Sequence, residues 1–288
     1  LRGFYASCEC VMRGLDPLEA KLAVVGNVER SGSIVLAISP GLKKLGFKNR
    51  CRFYELPRDK GIIFAPARMR VYLEYSQKII EIFLKYVPIE DLHIYSVDES
   101  FLDVTESMHL FASNNKEMAR VIMEDIYNTT GLFSACGIGP NMLLAKLSLD
   151  LEAKKNPDGI AYWNYNDVEK KLWPVMPLSK MWGIGVNLEK SLNSMGMYKV
   201  GDIANYDLKR LINKFGVIGE ELYYHSRGID RSRMQNPHII RDHNYGIGQT
   251  LFEDYYENIK IVMLEQCEEL GMRIRLKKQM GRTIHLSI

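Results

Sequence analysis

The sequence predicts an α+β fold divided among several domains, and three observations carry that prediction. Short β-rich runs and helix-period stretches interleave up to about residue 167, the text from about Glu169 turns purely helical, and a further unit with strand character begins near Asn236. A chain of 288 residues has room for more than one such unit, because single domains cluster near ~100 to 200 residues. With 47% hydrophobic and 25% charged residues, neither disorder nor a fibrous repeat fits.

The elements follow in order. LAVVGNV and IVLAI, within the first 66 residues, are apolar runs of the length expected for short buried strands. Tyr72, Tyr75, Ile79, Phe83 and Tyr86 recur at helical spacing and Pro88 closes the segment, which predicts an amphipathic helix over about 69–86. LHIYSVDESFLDVT then holds two β-forming runs joined around Asp98 and Glu99, which predicts an apolar, buried hairpin with both acids at its bend. Met118, Val121, Ile122 and Ile126 mark a second helix. The strand-like LFSACGIG follows, and a third helix after Pro140 runs through Leu143, Leu147 and Leu151. This order predicts an antiparallel sheet covered on one face by helices. Beyond the helical region, a helix is expected over about 259–272, and GRTIHLSI resumes strand character. The start at Leu1 and the stop inside that apolar run read as a fragment trimmed at both ends.

The net charge of +3 points to no partner by itself, but charge is clustered. Between Pro40 and Lys60 stand seven basic residues against two acids. From Gly271 onward Arg273, Arg275, Lys277, Lys278 and Arg282 face no acid at all, a pattern suited to tracking a phosphate backbone. Five cysteines without a CxxC pair, and no leader-like segment, suggest a reducing, cytoplasmic setting, and no apolar run is long enough for a membrane.

Adjacent Asp98 and Glu99 are hard oxygen donors suited to Mg²⁺ that also coordinates phosphate; alone, such a pair is more often a polar turn. Gly3 permits close backbone approach beside the aromatics Phe4 and Tyr5, whose ordinary role would be core packing. Lys43–Lys44 and Lys154–Lys155 could neutralise a triphosphate, although lysine pairs are usually solvated surface. GIGPN, at 137–141, lacks the phosphate-loop patterns, so its glycines are read as a tight strand-to-helix turn. Gly183, Ile184 and Gly185, ahead of a helix, could offer backbone N–H groups to a phosphate. The scattered histidines form no hydrolytic triad.

Taken in order, FYASCE, SPGLKKLGFK, YSVDESFLDVT, CGIGPNMLLAKLSLDLEAKK and MWGIG resemble the Y-family translesion DNA polymerases, most closely the UmuC-like bacterial branch. The resemblance implies a right-hand architecture: palm at 1–9 and 67–167, fingers at 10–66, a helix-hairpin-helix thumb at 168–235, and a truncated little finger at 236–288. It further implies low-fidelity, template-directed DNA synthesis in damage tolerance, from dNTP onto a primer 3′-hydroxyl. Asp98 and Glu99 match the residues that bind two Mg²⁺ ions. The family's third carboxylate would lie immediately before Leu1. Tyr5 matches the gate against ribonucleotides; the backbone of Gly3, Phe4 and Tyr5, with Lys43, matches the triphosphate cradle. The palm lysine maps to Lys154 or Lys155, with Lys154 preferred. Pro40 stands where many relatives carry a tyrosine that touches the triphosphate. Primer-template DNA is the implied partner through residues 183–185, with Arg273, Arg275, Lys277 and Lys278 in the little finger; a sliding clamp is expected from the family, by a motif outside this chain. A nucleotide cyclase, an inactive DNA-binding relative and a helix-hairpin-helix glycosylase are the competing readings.

Overall fold

The computed structural model describes residues 1–57, 61–235, 244–249, 251 and 255–287. Two compact units emerge, Leu1–Asn236 and Pro237–Ile288.

In the first unit, helix α1 (Phe4–Val11) is followed by β1 (Leu22–Val25), β2 (Val35–Ile38), a short α2 (Pro40–Lys44) and β3 (Ile63–Pro66). The strands form one sheet in the order β2-β1-β3, with β1 antiparallel to β2 and parallel to β3. Every residue of β1 is buried, as expected of a strand covered on both faces. Ala23 and Val25 pack with Val35, Leu42 and Phe53 into a small core. Leu22 and Val24 point the other way, into a larger core with Phe4, Tyr72, Ile79, Ile82 and Met118. That larger core is closed by α3 (Met69–Phe83) and α4 (Asn115–Thr130). Asn114 caps α4 by accepting from the Glu117 N–H, and Gly131 ends it in the left-handed conformation.

The acid hairpin forms as expected. Strand β4 (Leu92–Ile94) pairs antiparallel with β5 (Ser100–Leu102), leaving Asp98 and Glu99 in the connection. It is not buried, however: β4 buries only Leu92, and β5 is half-exposed throughout. The single antiparallel sheet is also replaced by two separate ladders, because β6 (Cys136–Ile138) pairs parallel with β7 (Ile160–Tyr162). The cause is connectivity. Helix α5 (Met142–Ser148) and the π turn Leu149–Ala153 fill the crossover between these strands, and a helical crossover returns the chain parallel. Gly137 and Gly139 make that packing feasible, since a Cβ on either would lie 2.1 Å and 2.5 Å from the α5 backbone. The strand-to-helix reading of GIGPN is thereby explained by close approach.

Helices α6 (Val186–Asn193), α7 (Val200–Ala204), α8 (Leu208–Phe215) and α9 (Val217–His225) complete the unit. Their core runs without a break into α5 and the residue just after β7, joining Leu143, Leu147 and Trp163 to Leu172, Leu192, Val200 and Leu211. In the second unit, α10 (Ile259–Leu276) extends past the expected end at 272 and has no buried residue. No strand forms among the described residues of 281–287: the β-forming text there has no ladder partner among the described residues, and a strand exists only through one. The start of the strand expected near Asn236 lies outside the described residues. Among the described residues no helix is long and apolar enough to cross a membrane.

Candidate active site

The site is built on the β4–β5 turn. The Ser96 hydroxyl donates to Asp98 Oδ1 at 2.9 Å, and the backbone nitrogen of Leu1 donates to the Asp98 carbonyl at 2.9 Å. Glu99 is held from below: Lys146 Nζ on α5 lies 2.8 Å from Oε2, and Lys154 Nζ lies 3.7 Å from Oε1. Asp150 joins the two lysines, at 3.3 Å from Lys146 and 2.6 Å from Lys154. Lys146 is 7% exposed. Burial disfavours its charge, but the hydrogen bond and charge of Glu99, helped by Asp150, outweigh that and hold its pKa above the usual lysine range.

Lys155 instead donates to the Leu151 carbonyl at 2.8 Å, so of the two candidates Lys154 is the one at the acids. Lys146, Asp150 and Lys154 stand four residues apart, an alternating-charge spacing the sequence offers but whose target it does not name.

Tyr5 comes to the same side. Its ring stacks on Tyr72 with centroids 4.5 Å apart at 14°, and burial first, then the nearby charge of Asp98, raises its phenol pKa. Phe4 packs inward, and its expected place in the triphosphate cradle concerns its backbone alone. Its side chain is 3% exposed within the main core, since it lies on the inward face of α1. Only its backbone can serve a nucleotide. Gly3 adopts φ +58°, and a Cβ there would lie 2.8 Å from the Ile38 carbonyl, so the close approach it permits is to the end of β2. Lys43 is exposed near the end of α2, while Lys44 pairs with Glu19 at 2.8 Å. Pro40 opens α2, behind the Ser39 cap. Arg58 and Lys60 lie outside the described residues.

Gly183 (φ +90°) and Gly185 are exposed, with nothing within 4 Å of where a Cβ would stand on either, and Gly185 is the N-cap of α6. Ile184 is 5% exposed, because its side chain anchors the turn in the helical core; its backbone alone faces out. Trp182, just before, donates its indole N–H to the Tyr95 hydroxyl at 3.2 Å. In the second unit Arg273, Arg275, Lys277 and Lys278 are all exposed, with Arg273 paired to Glu269.

Among the described residues no group of three or more His, Cys, Asp or Glu side chains is arranged to hold a metal ion. Asp98 and Glu99 nonetheless fit Mg²⁺. Both are oxygen donors at one open bend, and Mg²⁺ is commonly held by one or two carboxylates with phosphate oxygens and water completing its shell.

Comparison with known proteins bears on the family and the fold. The model described as the impB/mucB/samB family matches residues 1–150, and that of the DNA polymerase-iota thumb domain matches residues 179–230. The chain is 46% identical over 291 residues to the putative UV-damage repair protein UvrX of Bacillus subtilis, covering 100% of this chain and 68% of that one. It is 35% identical over 294 residues to DNA polymerase IV of Pelotomaculum thermopropionicum, covering 100% and 70%. Its fold is similar to the crystal structure of DinB from Sulfolobus solfataricus, with a TM-score of 0.64 at 24% identity over 79% of this chain and 65% of that one.

Proposed function

This chain belongs to the impB/mucB/samB family of Y-family polymerases, and on that premise we propose that it carries the catalytic core of a translesion DNA polymerase. The reaction joins a primer 3′-hydroxyl to the α-phosphate of a dNTP and releases pyrophosphate, directed by a template strand. One observation carries the reading: two carboxylates at one open bend, faced by Lys154 and by the stacked ring of Tyr5.

Asp98 and Glu99 would hold Mg²⁺, two ions by family resemblance, whose chemistry when bound is to acidify the 3′-hydroxyl and neutralise charge on the triphosphate. The chain's own residues do the rest. Lys154, and Lys43 from α2, would bind the triphosphate and offset charge on the leaving pyrophosphate. Tyr5, backed by Tyr72, would present a flat wall to the sugar and exclude a 2′-hydroxyl by bulk. Residues 1–9 and 67–167 would form the palm, 10–66 the fingers, 168–235 the thumb and 236–288 part of the little finger. The open glycine turn at 183–185 would grip duplex backbone, and the basic end of α10 would, separately, contact backbone phosphates. A sliding clamp is a further expected partner, and bypass of damaged bases in the bacterial cytoplasm the expected setting.

A nucleotide cyclase gives residues 179–230 nothing to do, whereas a polymerase needs a thumb. Primer extension tests the proposal: template-dependent dNTP incorporation is expected, abolished by Asp98→Ala. Incorporation that survives Asp98→Ala overturns the assignment of the site.

A further inference from the structure

Glu99, the carboxylate assigned above to the metal, is already engaged. Lys146 lies 2.8 Å from its Oε2, with the lysine side chain 9% exposed and that of Glu99 24% exposed. Water screens this pair little, and the ammonium takes a lone pair of Oε2 that a cation could use. Lys146 is itself held from a third side by the ring of Tyr95, 5.7 Å from Nζ to the centroid. That ring does not stand alone. Trp182 donates to the Tyr95 hydroxyl at 3.2 Å and meets its ring edge-on, centroids 5.8 Å apart at 79°. Phe101 closes the cluster at 5.9 Å from each ring. Trp182 is the residue before the open turn 183–185. A continuous path of four side chains thus joins that turn to a carboxylate of the acid pair.

We propose that Lys146 is a resident counter-ion which a divalent cation must displace from Glu99, and that Tyr95 and Trp182 set how firmly it holds. The proposal rests on the reading of Glu99 as a metal ligand and of residues 183–185 as a duplex contact. Its logic is competition. Whatever stabilises the ammonium on Glu99 opposes a cation at the same oxygen, and whatever shifts Trp182 loosens the ring beneath Lys146. Lys146 can then fall back on Asp150, 3.3 Å away, which keeps its charge paired. Metal loading is thereby coupled to the position of the thumb turn, and the coupling is reciprocal, as any such linkage must be. Tyr95 and Trp182 are positioning residues in this scheme; neither touches the cation.

The test is Mn²⁺ binding to the DNA-free chain, followed by electron paramagnetic resonance of the free ion. Lys146→Met should tighten Mn²⁺ binding about tenfold, since it removes a positive charge in contact with the ligand. Tyr95→Leu and Trp182→Leu should each tighten it about threefold, and Trp182→Phe, which keeps the packing but loses the N–H, about twofold. The deciding arm repeats Trp182→Phe and Trp182→Leu in the Lys146→Met background, where both should have no effect. A purely structural role for Trp182 would lower the melting temperature and leave the Mn²⁺ dissociation constant alone, and that result overturns the relay. So does an equal shift in both backgrounds, or no response to Lys146→Met. If Glu99→Gln leaves Mn²⁺ binding at the wild-type value, the metal-site reading fails instead, separately from the relay.

Discussion

Two acidic sites in the same unit, Glu9 on α1 and the Asp98–Glu99 turn, show how differently a carboxylate can be used. Glu9 is fully buried, and its oxygens accept from Arg68 at 2.8 and 2.6 Å, from the Tyr72 hydroxyl at 2.9 Å and from Arg13. Burial pushes its pKa up, and those bonds pull it further down, so it stays ionised below the usual range. Its lone pairs are all taken. Asp98, by contrast, accepts from Ser96 at the mouth of an open bend and keeps oxygen capacity for something else. Charge alone does not separate Glu9 from Asp98; the supply of unfilled lone pairs does.

The contrast is sharpest when each acid is deleted. Asp98→Ala should cut dNTP incorporation by a factor on the order of 10³ or more, because the transition-state charge loses its preorganised partner. The melting temperature should stay near wild type, since the side chain supports little packing. Glu9→Ala should do the reverse. Losing one member of a buried ion-pair cluster costs about 3 kcal/mol, read as a lower denaturant midpoint. A Glu9→Ala chain as stable as wild type, or an Asp98→Ala chain that melts early, would break the comparison.

Tyr5 stands between the two sites, stacked on the Tyr72 that Glu9 anchors and within the field of Asp98. Tyr5→Ala should raise rNTP relative to dNTP incorporation on the order of tenfold, as expected when a pocket stops excluding one small group. Competition assays with paired nucleotides would measure the ratio, and an unchanged ratio removes Tyr5 from the gate.

What the sequence discloses of this arrangement is local. The 3.6-residue recurrence of Tyr72, Ile79 and Phe83 and the paired β-runs around Asp98 are patterns within a dozen residues, and α3 and the acid hairpin follow from them. The parallel strand Ile160–Tyr162 is not legible there, because three residues acquire strand character only from the partner that the α5 crossover supplies. Lys146 is silent in the sequence for a similar reason. Its partner Glu99 is 47 residues away, and no spacing rule spans that distance. The ordinary packing role of Phe4 and Tyr5 is also met: both rest against the main core, Phe4 buried and Tyr5 half-buried and stacked on Tyr72. The acid pair itself is found through its chemistry and the family resemblance, whereas its setting in a lysine network needs the fold.

Acidification offers the finest probe of the same contrast. The folded-state pKa of Glu9 lies below its unfolded value of about 4.3. Its ionised form therefore stabilises the fold at every pH above that value, and the contribution disappears as pH falls through the folded pKa. Glu9→Gln removes the charge at all pH values while keeping the shape. Wild type should be more stable than Glu9→Gln at pH 7, with the gap steady down to about pH 5 and closing as the pH falls below about 4. Denaturant melts of both chains across this range measure the gap. A gap that stays constant down to pH 3 would mean that the ionisation of Glu9 does not stabilise the fold, and the distinction between a saturated and an open carboxylate would lose its electrostatic basis.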